Sequence, residues 1–125
     1  MPANLEGDAG ASLDLAGFAS EGGMTPLELM DAALAGCLVL SVRIAAGTFG
    51  WRERLVSVKV DVGHEKAPDT PSRIASFDCA FAIEGDFSAK EREALIAEAH
   101  RICTVGNTLE GSVHIHDVPE IPDGE

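Results

Sequence analysis

From Asp31 to Arg43 nearly every residue is apolar, among them Ala32, Leu34, Cys37, Leu38, Val39, Leu40 and Val42. Just ahead of this run stands Thr25-Pro26-Leu27-Glu28. Threonine is a favoured N-cap, proline suits the first helical position, and a glutamate three residues after the cap completes a capping box. A helix is therefore expected to open at Pro26 and run to about Ala46, with Gly47 placed to end it. Because the run is apolar almost all the way round, the helix needs cover on several sides, from a sheet and from a second subunit. The run falls short of the roughly 20 apolar residues of a bilayer span, so the expectation is a buried core helix.

The cover is legible on either side. Val56, Val58, Val60 and Val62 alternate with Ser57, Lys59 and Asp61, and Phe77, Cys79, Phe81 and Ile83 alternate with Ser76, Asp78, Ala80 and Ala82. Both are strands with one wet face. His64 to Ser72, with Pro68 and Pro71, reads as the connection between them, which makes the pair antiparallel. A second capping box, Ser88-Ala89-Lys90-Glu91, opens a helix that carries Leu95, Ile96, Ala99, Ile102 and Cys103 at helical spacing. Ser12 to Ala16 reads as a short early strand, and Val113 and Ile115 mark a last one. The order is strand, helix, two strands, helix, strand. That is an α+β fold, with a mainly antiparallel sheet packed on a long buried central helix and a second helix. Residues 1–125 are expected to form one domain, with a short, partly flexible N-terminal region over 1–23 and a frayed acidic tail over 118–125.

Charge removes whole classes of partner. Twenty-one acidic residues against nine basic ones leave a net charge of −12, which repels phosphates and anionic lipid, so neither nucleic acid nor membrane is an expected partner. Three cysteines is an odd count, and the N-terminus lacks the basic-then-apolar pattern of a signal peptide. A cytoplasmic protein with reduced thiols is expected.

Chemistry is concentrated in those thiols. Cys37 lies within the buried helix and Cys103 at the end of the second helix, both toward the core. If the helices pack side by side, the two Cα atoms can approach the roughly 4.4–6.8 Å of a disulfide. A buried cysteine is often only a small hydrophobe, and Cys79, between Phe77 and Phe81, fits that description best. His114 and His116 flank Ile115 and could chelate a metal together with His64. Two histidines on an exposed strand face are more simply polar residues opposite apolar ones, and no metal site is expected.

Gly22-Gly23-Met24-Thr25-Pro26-Leu27-Glu28-Leu29-Met30-Asp31-Ala32-Ala33-Leu34-Ala35-Gly36-Cys37 resembles the central-helix signature of the OsmC/Ohr family. Arg101-Ile102-Cys103-Thr104-Val105-Gly106-Asn107-Thr108-Leu109 resembles its second-cysteine segment, 66 residues after the first cysteine. The resemblance implies an intertwined homodimer with the central helices buried and active sites at the subunit interface. It also implies a thiol peroxidase of oxidative-stress defence that reduces organic hydroperoxides without a cofactor. By position, Cys37 would attack the peroxide and become a sulfenic acid, and Cys103 would resolve it to a disulfide that an external dithiol reduces. The alternative is a non-enzymatic dimer holding a small hydrophobic ligand in an interface pocket.

The chain departs from the pattern at two places. Ohr-type members supply an arginine from the N-terminal strand region, and here the first arginine is Arg43. Their glutamate ten residues before the first cysteine is here Leu27, with Glu28 one place later and, by helical geometry, on the opposite side from Cys37. His100 and Arg101, beside Cys103, are the candidate replacements for activating the thiol, weighed against a plain role as cations near a helix C-terminus.

Overall fold

The computed structural model describes residues 3–6, 12–15 and 23–119. The expected flexible N-terminal region and acidic tail fall largely outside these residues.

Ala3–Glu6 (β1) and Ser12–Leu15 (β2) pair antiparallel, so the early strand has a partner just before it. The central helix, Pro26–Thr48 (α1), starts at the expected residue. Glu28 N–H donates to Thr25 Oγ1 at 3.2 Å and Thr25 N–H donates to Glu28 Oε1 at 3.0 Å, the reciprocal box that the sequence spells. At 23 residues α1 is longer than its apolar run, and by length and composition alone it would suffice for a bilayer span. Its packing makes it a core helix, because Leu34, Leu38, Ser41, Val42, Ala45 and Ala46 are all buried.

Leu55–Lys66 (β3) and Ile74–Gly85 (β4) form the antiparallel pair, with Val60 opposite Phe81, Val62 opposite Cys79 and His64 opposite Phe77. Val58, Val60, Val62 and His64 turn inward together. Val56 does not join them: the register slips between Leu55 and Ser57, and the slip leaves Val56 72% exposed. The strand of valines is thus one residue pair shorter on its buried face than the alternation predicts.

Ala89–Ile102 (α2) is capped by Ser88 and Glu91 in a second reciprocal box. The corner leading to it requires glycine at position 85, where φ is 157° and a Cβ would collide with the Arg54 carbonyl. The arginines Arg54 and Arg92 lock this corner. Arg54 donates to the Asp86 carbonyl and to Glu91, and Arg92 donates to the carbonyls of Ile83, Gly85 and Phe87.

After α2 the structure corrects the sequence reading. Cys103 breaks the helix, and Thr104–Glu110 forms a third helix (α3) where no element was expected. Val113 and Ile115 belong to no strand and are 62% and 88% exposed. Two alternating apolar residues make a strand only where another strand offers its backbone, and among the described residues none pairs with this segment. The result is still α+β, with the long helix packed on β3, β4 and α2 as expected.

Candidate thiol site

Cys37 and Cys103 belong to one cluster, formed by Leu34, Leu38, Val60 and Cys103 with Cys37, Cys79, Phe77 and Phe81 against it. Helical spacing brings this about. Leu34, Leu38 and Ser41 follow one another at three- and four-residue steps down the buried side of α1, and Cys37 sits at the edge of that side, half-buried. Cys103, at the junction of α2 and α3, is fully buried.

The two sulfurs are electrostatically unequal. Burial by itself pushes the Cys37 thiol up, but the polar groups around its sulfur outweigh that effect. These groups are the backbone N–H of Val105, the thiol of Cys103, the backbone N–H of Thr104 and the hydroxyl of Ser41, and together they hold Cys37 below the ordinary thiol range. Cys103 moves the other way. Burial raises it, and the neighbouring Cys37 sulfur raises it further, although the Gly106 N–H acts in opposition. That N–H donates to Cys103 Sγ at 3.3 Å, so the same sulfur serves as the N-cap of α3. The arrangement favours a thiolate at Cys37 and a thiol at Cys103 that donates to it.

Cys79 stands apart from this pair. Burial and then the charge of Asp78 push its thiol up, the behaviour of a packed sulfur. It lines a cavity of about 480 Å³ together with Leu34, Phe77, His100, Gly106 and Leu109. Gly106 forms the wall between this cavity and Cys103: a Cβ there would lie 3.3 Å from the Cys103 sulfur.

The two side chains expected to activate the thiol make other contacts. Arg101 is exposed and makes a two-pronged ion pair with Glu98 at 2.7 and 2.6 Å. His100 is exposed at the rim of the cavity, edge-on to Phe81 with ring centroids 5.4 Å apart. Neither donates to the Cys37 sulfur. The groups that do are Ser41 and two peptide N–H groups. Ser41 lay open to sequence reasoning as the residue four places after Cys37 on one helix face. The peptide donors did not, because a backbone N–H carries no letter.

The histidines form no metal centre among the described residues. His114 and His116 stack on one another, ring centroids 5.6 Å apart, and His64 is engaged by Asp31, its Nδ1 lying 2.7 Å from Asp31 Oδ2.

The family described as OsmC-like protein matches residues 19–116. No curated protein sequence matches the chain significantly. The chain is similar to the organic hydroperoxide resistance protein OsmC of Legionella pneumophila at 25% identity and a TM-score of 0.67, covering 89% of this chain and 90% of that one. It also superposes on the organic hydroperoxide resistance protein OhrB of Bacillus subtilis, with a TM-score of 0.70, 16% identity and coverage of 89% and 91%. A third likeness is the OsmC-like protein of Mycoplasma pneumoniae, with a TM-score of 0.72, 14% identity and coverage of 89% and 86%.

Proposed function

The chain belongs to the OsmC-like protein family, and from that membership together with its paired thiols we propose that it is a cysteine-based peroxidase that reduces organic hydroperoxides. The observation that carries the reading is the pairing of the thiols in one buried cluster, with Cys37 held below the ordinary thiol range and Cys103 raised by burial beside it.

In the proposed cycle the Cys37 thiolate attacks the outer oxygen of the hydroperoxide. The O–O bond breaks, the alkoxide takes a proton and leaves as an alcohol, and Cys37 becomes a sulfenic acid. The Cys103 thiol then attacks that sulfur, releasing water and forming the Cys37–Cys103 disulfide. An external dithiol returns both sulfurs to the reduced state by thiol–disulfide exchange. The peptide N–H groups of Thr104 and Val105 and the Ser41 hydroxyl take the stabilising role for which Ohr-type members use an arginine. Because these donors are fixed in the fold, they need no rearrangement when charge develops on the sulfur. His100, on the cavity wall, faces what enters the cavity rather than the sulfur.

The active form is proposed to be a homodimer. Met30, Leu40 and Ile44 remain 37%, 58% and 55% exposed along one side of α1, an apolar stripe that a second copy would cover. A light-scattering mass equal to the 13.1 kDa of one chain, rather than twice that, would remove this part of the proposal.

The deciding experiment treats the reduced protein with one equivalent of cumene hydroperoxide and maps the thiols by mass spectrometry, beside Cys37→Ser. A Cys37–Cys103 disulfide formed within seconds in the parent and absent in the variant is the expected result. Both thiols remaining reduced in a folded protein would overturn the peroxidase and leave a ligand-binding member of the family.

A further inference from the structure

A second cleft, of about 630 Å³, runs between the C-terminal half of α1 and the start of β3. No cysteine lines it, and the thiol chemistry gives it no role. Val39, Arg43 and Gly47 follow one another at four-residue steps along one side of α1. The guanidinium of Arg52 lies over Gly47, 3.1 Å from where a Cβ would stand. Arg43 and Arg52 both line the cleft.

The other four arginines are occupied. Arg54, Arg73 and Arg101 pair with carboxylates, and Arg92 is committed to three backbone carbonyls. Among the described residues, neither Arg43 nor Arg52 has a carboxylate partner, and no acidic residue lines the cleft. Two neighbouring cations repel one another, and a bound anion removes that repulsion. The remaining wall is hydrocarbon: Val39, Leu55 and Val56, the last turned outward by the register slip in β3. The one neutral polar side chain on the wall, Ser57, is engaged by Glu84 at 2.9 Å.

We propose that this cleft binds a monocarboxylate with an apolar tail, its head held by Arg43 and Arg52 and its tail laid along Val39, Leu55 and Val56. A carboxylate accepts charge-assisted hydrogen bonds from guanidinium groups, and the cleft volume lies within the ordinary range of small-molecule sites. Inorganic phosphate would satisfy the arginines and leave the apolar wall in water. The site is independent of the thiol pair, so its test does not depend on peroxidase activity.

Trp51, the single tryptophan, is the chain neighbour of Arg52 and gives an optical signal to set beside calorimetry. The reduced protein is titrated with decanoate below its micellar concentration, with decanol and inorganic phosphate as separate probes, and Trp51 fluorescence and calorimetry are read together. Saturable one-to-one binding of decanoate is expected, weakened at least tenfold in the double variant R43Q/R52Q and partly restored in R43K/R52K. Both arginines are exposed, so these variants keep the fold, which circular dichroism verifies. Equal affinity for decanol, equal affinity for phosphate, or unchanged binding in R43Q/R52Q each overturns the proposal. Decanoate binding that emerges only on dilution, as an oligomer dissociates, would overturn it by giving the cleft to a second copy of the chain.

Discussion

Along the C-terminal half of α1, Val42, Ala45 and Ala46 pack with Ile83, Phe87, Leu95 and Ala99, and the corner beyond is closed by Arg54 and Arg92. Along the N-terminal half the cluster is Leu34, Leu38, Val60 and Cys103, with two further thiols against it and a cavity beside it. One helix therefore serves two kinds of interior. The first buries hydrocarbon, with Arg54 and Arg92 at its rim tied to backbone carbonyls and to Glu91. The second admits sulfur and provides each of the paired sulfurs with donors. A site that must hold a charged sulfur at a fixed position needs rigid support on the same element, and α1 supplies it within about 16 Å of axis between Leu34 and Ala45.

The sharpest way to break this contrast is by truncation. Leu95→Ala removes a fully buried side chain from the hydrocarbon half and should cost about 2–5 kcal/mol in denaturant unfolding. Cys103→Ala, equally buried, removes one sulfur atom and should cost less than Leu95→Ala. Equal losses would mean that the thiol half is packed for stability in the same way as the other.

Cys103→Ala should instead move the pH dependence of Cys37 alkylation by iodoacetamide. Cys37 lies below the ordinary thiol range, so its reactivity persists as pH falls until that lowered value is crossed. Losing the Cys103 donor shifts the midpoint upward. Ser41→Ala shifts it upward too, by less, because the serine bond is the weaker of the two contributions to the sulfur. An unmoved midpoint in both variants would show that the peptide donors alone set the thiolate.

The sequence carried the hydrocarbon half almost completely. Two capping boxes placed the starts of α1 and α2 to the residue, because a cap is a local bargain between neighbouring side chains and backbone, and locality is what a sequence displays. The central pair of strands was legible for the same reason. The thiol half was legible only as a pairing of Cys37 with Cys103. The groups around its sulfur were hidden, since Thr104 and Val105 come near Cys37 only once α3 has folded back against α1. α3 carries no local signal because Gly106 and Asn107 are poor helix formers, and tertiary contact with α1 overrides that preference. The last strand failed for the complementary reason: alternation states what a strand would bury and is silent on whether a neighbour exists to pair with it.

The sulfur of Cys103 also begins a helix, accepting from the Gly106 N–H. Oxygen-bearing side chains, serine above all in a site this enclosed, make better caps than a thiol. Position 103 therefore stands under two opposed pressures. Selection for folding alone would let it drift toward serine, so the persistence of cysteine there in a lineage would record a demand for its chemistry that stability cannot account for.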